Sequence, residues 1–300
     1  MRNVDKPKIK QPARTELTES KVKKYLDKKK FEGKYVSYIT ARQFSSAGNA
    51  SSEQLSSSER RQEYLSDLER RFGIALSFLS NVSNVKTQYP ILNVDETIRI
   101  ASELNIPHPR FAPKSGLVKD ENKGYQASIM TTDFLFEYKD VLTQEANRIA
   151  VSLKYDQDVS VEDGKDRIVG RTKDKIEIER VYWEKTQGYE FRVITSKAWM
   201  VQPAFSKNID MARRFRDLDV PRAILKNATH EMLRLLDDTP CYRLRDFINK
   251  SSSAINISFE KTYSIFWYLI WHKTLKIDLF RPLEDSTFVY PAQEHYAWAW

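Results

Sequence analysis

Two charged residues stand in this sequence where packing asks for neither. Asp133 opens the apolar run "DFLFEY" (133–138), and Lys154 comes near the end of the next one, "RIAVSLKYD" (148–156). Two such runs joined by a short polar loop read as an antiparallel hairpin, which sets the acid and the base across from each other on adjacent strands, able to share one face. A carboxylate that holds a divalent ion, beside a cation that positions a nucleophile or offsets developing charge, is what phosphodiester hydrolysis needs. One carboxylate rarely suffices. A further one could come from Glu69, one residue after Leu68 and so at the edge of an apolar helical stripe, or from Glu179, which shares a helix face with Ile176 and Trp183. Glu177 lies on another side of that same helix. Each residue also has a plain structural reading, as a turn-forming Asp, a solvated edge Glu or a strand-end Lys that protects a sheet edge. Spacing alone favours those plain readings.

The elements that must position these residues follow from periodicity. A basic helix runs from about Glu19 to Phe31, ended by Gly33, and a short strand "KYVSYITA" (34–41) follows. Residues 45–60 form a Ser-rich stretch without apolar period, expected to be a mobile loop. From Tyr64 the pattern is helical, with Leu65, Leu68, Phe72, Leu76 and Leu79 at steps of three and four. The strand "NVKTQYPIL" (84–92), broken at Pro90, leads to Asn93, which caps a helix over Asp95 to Asn105. A loop rich in Pro and Lys (106–124), the hairpin, a polar loop (156–172), the helix "KDKIEIERVYWEKTQ" closed by Gly188 and the strand "YEFRVITS" complete the region. That order predicts an α/β domain with a mixed sheet and one antiparallel hairpin at its centre.

After Trp199 the character is mostly helical: 207–217, 220–236, 241–249 and the strongly apolar 257–273. The stretch "KIDLFRPLEDSTFVYP" (276–291) then reads as two alternating strands about a turn, and the whole as a winged-helix-like domain. The expected organisation is a basic arm (1–44), the Ser-rich loop (45–60), a catalytic domain (61–200) and a C-terminal domain (205–300).

Composition narrows the class. Three hundred residues with 41% apolar content support a substantial core and suggest two domains. The single cysteine, Cys241, excludes a disulfide framework and a Cys-rich zinc site, and no signal-peptide core is present near the first residue, so the chain is expected to be intracellular. The longest apolar run, "YSIFWYLIW" (263–271), falls well short of the roughly 20 residues a membrane span needs. The net charge is +8, and residues 1–44 hold 13 Lys and Arg against 5 Asp and Glu, so the rest of the chain balances. All of the excess sits in the arm. Its run "KVKKYLDKKK", with Lys21, Lys23, Lys24, Lys28, Lys29 and Lys30, is an electrostatic footprint for a polyanion such as DNA, or else a solvated basic helix. His108 in "IPHPR" reads as a loop residue rather than a ligand. The aromatic cluster Tyr263, Phe266, Trp267, Tyr268 and Trp271 reads mostly as core, with the tail "HYAWAW" as a possible partner surface.

A more specific signal comes from the text around the charged positions. "YLSDLERRFGIALSF", "VKTQYPIL", "IMTTDFLFEY", "RIAVSLKYD" and "IEIERVYWEKTQGYEFRVITSK" occur in an order and with a flavour that resembles the TnsA family, the endonuclease subunit of heteromeric cut-and-paste transposases. The likeness is good over residues 60–200 and weaker outside them. It implies a nuclease domain of the restriction-endonuclease-like fold, with catalytic residues Glu69, Asp133, Lys154 and Glu179. Magnesium, one ion or two and replaceable by manganese, would be held by Glu69, Asp133 and the carbonyl of Leu153, while Lys154 would orient the attacking water. In the wider superfamily the residue two before the lysine is acidic. Here it is Ser152, and TnsA-like proteins share a non-acidic residue there, which puts more weight on Glu69.

The resemblance further implies cleavage of the 5′ strands at transposon ends, beside a DDE transposase of the TnsB type and an AAA+ ATPase regulator of the TnsC type, in the cytoplasm of a prokaryote and away from any membrane. A stand-alone restriction-type nuclease and a non-catalytic DNA- and protein-binding adaptor are the rival expectations.

Overall fold

The computed structural model describes residues 8–43, 49–54, 61–111, 126–156, 159–162, 165–168, 170–238 and 241–292. Most of the 106–124 loop, much of the Ser-rich stretch and the "HYAWAW" tail lie outside these residues. The chain divides into two compact units, Met1–Glu69 with Asn81–Ser196, and Arg70–Ser80 with Lys197–Trp300.

The first unit opens with α1 (Glu16–Glu32), which buries Thr18 and Tyr25 and ends at Gly33, whose φ of +67° lets its N–H bond back to the carbonyls of Lys29 and Lys30. All six arm lysines are exposed. The strand expected at 34–41 does not form. Residues 35–38 instead reach a neighbouring strand largely through side chains. A short hairpin of β1 (Ser51–Gln54) and β2 (Arg61–Tyr64) then appears, its first strand inside the stretch expected to be loop and its second where a helix was expected to begin. That helix, α2 (Asp67–Phe78), begins three residues later.

The core of this unit is a four-stranded sheet of β3 (Val82–Ile91), β4 (Met130–Lys139), β5 (Ala146–Lys154) and β8 (Glu190–Thr195). In the order β3-β4-β5-β8 the first two junctions are antiparallel and the last is parallel. The hairpin lies at the centre. Pro90 does not break β3, because an edge strand can spare a donor on its outer side. That outer side is closed by the chain's own residues: the Tyr35 hydroxyl donates to the Thr87 carbonyl at 2.6 Å, the Tyr38 N–H to the Gln88 carbonyl at 3.1 Å, and Gln62 Nε2 to the Val85 carbonyl at 3.3 Å.

Helix α3 (Val94–Glu103) is capped by Asn93, whose side chain accepts the Glu96 N–H. Where a polar loop was expected at 156–172, the short strands β6 (Val159–Glu162) and β7 (Lys165–Ile168) pair as a hairpin; at four residues each they are too short for periodicity to mark them. Helix α4 (Gly170–Val181) follows and loosens into one π-helical turn, Tyr182–Thr186. One face of the sheet packs Ile91, Leu135, Ala150 and Phe191 against Ile100 and Ala101 of α3 and Ile176, Ile178 and Val181 of α4. Each of the larger side chains among them contributes about 1.5–3 kcal/mol when fully buried.

In the second unit α5 (Pro203–Arg213), α6 (Arg222–Asp237), α7 (Leu244–Ile255) and α8 (Phe259–Trp271) pack together, with Phe266 and Trp267 fully buried. Phe247 meets Phe266 edge-on at 5.8 Å. The two strands expected over 276–291 are realised only as isolated bridges, Ile277 to Pro291 and Arg243 to Phe288. Residues 287–289 bond instead to 242–244, the Leu244 N–H donating to the Thr287 carbonyl at 2.8 Å and the Val289 N–H to the Tyr242 carbonyl at 2.9 Å.

Candidate active site

The central hairpin does not stay paired to its end. The β4–β5 ladder runs from Lys139 opposite Ala146 to Phe134 opposite Val151 and stops, after which β4 continues only with β3 and β5 only with β8. Asp133, the first residue past that point, falls opposite Ser152. Where a ladder bond would lie, its Oδ2 accepts the Leu153 N–H at 2.7 Å. Lys154 turns its Nζ back to donate to the Leu153 carbonyl (2.8 Å) and Ser152 Oγ (3.1 Å), and it stands 3.9 Å from Asp133 Oδ2. Residues 133, 152 and 154 share the parity of Leu135 and Ala150, so they face α4.

Glu69 reaches this place from the first turn of α2. Its Oε2 accepts from the Leu65 N–H and Gln88 Nε2, both at 2.9 Å, and its Oε1 from Ser66 Oγ at 3.3 Å. In the β3–β4 register Gln88 is the residue facing Asp133, and it takes a φ of +52°, a left-handed conformation that costs a non-glycine residue about 1–2 kcal/mol. Beside Asp133, Thr132 Oγ1 accepts the indole N–H of Trp183 at 2.8 Å, a buried bond that ties β4 to the π-helical turn.

Glu179 approaches from α4 and is 0% exposed, yet neither of its oxygens accepts a hydrogen bond. Its ion-pair partner is Lys175 Nζ at 3.4 Å. Burial, and secondarily Asp133, push the Glu69 carboxyl up to about 7. Burial also lifts Glu179 to about 7, with Lys175 opposing and Asp133 reinforcing the rise. Burial works against the Lys175 ammonium, but Glu179, Asp133 and Glu69 outweigh it and the Lys175 pKa is raised. The four positions singled out in the sequence therefore lie close enough to act on one another's charge. Glu177 does not join them; it pairs with Arg180. His108 is buried, its ring bonded to Thr97 Oγ1 and the Pro109 carbonyl, so it is a core residue of its loop.

Two members of the cluster escaped the sequence reading. Lys175 precedes Glu179 by one helical turn, but in a helix as charged as "KDKIEIER" that spacing marks nothing out. Gln88 gave no signal, since only the sheet register brings it to Glu69.

Among the described residues no group of three or more His, Cys, Asp or Glu is already set to hold a metal ion. The donors present do suit a hard cation: the buried carboxyl of Glu69, which burial and then Asp133 hold protonated up to about 7, the partly buried carboxylate of Asp133, and a backbone carbonyl. Magnesium keeps several waters and takes one or two carboxylates plus substrate phosphate, so this pair fits it.

A mixed four-stranded sheet flanked by helices, with acids and a lysine gathered where its central ladder ends, defines a restriction-endonuclease-like fold. Residues 79–196 match the family model described as TnsA-like endonuclease N terminal. The chain is also 23% identical over 247 residues, 82% of its own length and 80% of the relative's, to the Escherichia coli protein named Transposon Tn7 transposition protein TnsA. Both matches liken the chain to the TnsA family.

Proposed function

We propose that this chain is the metal-dependent DNA endonuclease subunit of a transposase, and that it cleaves the 5′, non-transferred strands at transposon ends while a TnsB-like DDE transposase processes the 3′ ends. The observation that carries this reading is the end of the β4–β5 ladder, where Asp133, Lys154 and Glu69 converge although none is needed for packing. Glu69 and Asp133 are the ligand pair for magnesium, for which manganese substitutes. Leu153 can add its carbonyl, because only one of its two lone pairs is engaged by Lys154. When bound, the ion polarises the scissile phosphate and lowers the pKa of a coordinated water.

The chain's own residues do the rest. Three donors fix the Glu69 carboxylate before any substrate arrives. Lys154, braced by Ser152 and Leu153, keeps its ammonium beside Asp133, where it orients the attacking water and offsets charge building on the phosphate. Glu179 supplies a further negative charge behind Asp133. The exposed lysines of α1, Lys21, Lys23, Lys24, Lys28, Lys29 and Lys30, contact backbone phosphates without reading sequence. Residues 61–200 form the catalytic domain. Residues 205–300, winged-helix-like in plan, dock the transposase or a TnsC-like AAA+ regulator. The working place is prokaryotic DNA in the cytoplasm; among the described residues no helix is long and apolar enough to cross a membrane.

Strand-specific cleavage of an end-containing duplex in magnesium tests the reading, with wild type and Asp133→Ala, each with and without the transposase partner. Cutting of the non-transferred strand that requires both Asp133 and the partner is expected. Equal cutting by Asp133→Ala makes the cluster structural, and cutting by the wild-type chain alone makes it a stand-alone nuclease.

A further inference from the structure

We propose that Lys175 is a positioning residue of the site whose ammonium occupies the ground beside Glu179 that a second divalent cation would need, so that the cluster takes one metal ion and not two. The inference rests on the reading that Glu69 and Asp133 hold the first.

Glu179 is wholly buried, with no hydrogen bond to either oxygen. A carboxylate so placed is costly unless a cation compensates it, and Lys175 at 3.4 Å is the group that does so. The Lys175 side chain is about a third exposed (37%), whereas that of Glu179 is 0% exposed. The Lys175 charge also acts on Asp133 and Glu69. Three carboxylates thus face two ammonium groups, Lys154 on the strand side and Lys175 on the helix side. With all of them ionised the set carries a net −1, and a single divalent ion between Glu69 and Asp133 already turns it to +1. A second ion, which would draw on Asp133 and Glu179, meets a fixed positive charge there and finds one of its two ligands already paired. Lys175 also lies one turn before Glu179 on α4, so its stem is anchored by the helix and does not depend on substrate to arrive.

The test titrates the full-length chain with manganese and reads free ion by electron paramagnetic resonance, in wild type, Lys175→Met, Lys175→Arg and Asp133→Ala. Wild type and Lys175→Arg are expected to bind one ion per chain, Asp133→Ala none, and Lys175→Met two, the added ion taking the place of the lost ammonium. Two ions in wild type, or one in a folded Lys175→Met, overturns the inference while leaving the nuclease reading intact. Binding in Asp133→Ala equal to wild type, or no binding in wild type, overturns the underlying reading instead. Should Lys175→Met lose its helical circular dichroism, the wild-type count and Lys175→Gln decide the matter.

Discussion

Replacing Glu69 by Gln should make the metal-free protein more stable above neutrality while removing a ligand its chemistry needs. Glu69 is 7% exposed and its pKa climbs from 4.5 to about 7, with burial as the leading cause. A folded pKa above the unfolded one means the native state holds its proton more tightly. That contribution is complete below 4.5 and is lost as pH rises through about 7. Between about pH 5 and about pH 8 the ionisation of Glu69 therefore costs the fold on the order of 2–3 kcal/mol. A glutamine stands in for the protonated acid: its carbonyl can take the Oε2 position and keep the bonds from Leu65 and Gln88, and its amide can donate to Ser66 Oγ. The assay is thermal melting of both proteins in chelator at the two pH values. The variant should melt close to wild type at about pH 5 and roughly 5–10 °C above it at about pH 8, given the usual conversion for domains of this size. Added magnesium should narrow the gap by stabilising wild type alone. A gap that does not grow with pH would refute the reasoning, since it would mean that Glu69 is not an uncompensated buried charge.

Replacing the six lysines of α1 by glutamine should leave melting unchanged and flatten the plot of log affinity for duplex DNA against log salt by up to about 0.9 per lost phosphate contact, measured by fluorescence anisotropy. Gln88→Gly should be less destabilising than Gln88→Ala by about 1 kcal/mol in chemical denaturation, because both lose the bond to Glu69 but only glycine accepts the φ of +52° without strain. Trp183→Phe should cost about 1–3 kcal/mol of stability by leaving Thr132 Oγ1 buried without its donor, and cleavage should fall with it because Asp133 is the next residue on the strand.

The hairpin, the helices and the mixed sheet were legible because their apolar residues keep strand or helix period over long stretches. The acid and base were legible for the opposite reason, as charges at the ends of runs with no packing use for them. What was hidden depends on contacts between distant segments. The alternation of "KYVSYITA" suggested a strand, yet Tyr35 spends its hydroxyl on β3 and Tyr38 lends that strand a backbone bond, with no ladder between them. The β6–β7 hairpin has strands of only four residues, too short to announce themselves in sequence. The π-helical turn that aims Trp183 at Thr132 has no compositional mark either. At 276–291 alternation was present, but residues 287–289 take their backbone bonds from the distant 242–244.

The closing of the β3 edge bears on how the basic arm can be studied. Tyr35, Tyr38 and Gln62 cover donors and acceptors that would otherwise form an open template for another chain's strand. Deleting the arm to ask whether it grips DNA would also strip two of these covers, and the shortened protein would be prone to edge-to-edge aggregation. Lost activity in such a deletion would report precipitation as readily as lost affinity. Only charge-removing substitutions on α1, with Tyr35 and Tyr38 left in place, separate the two.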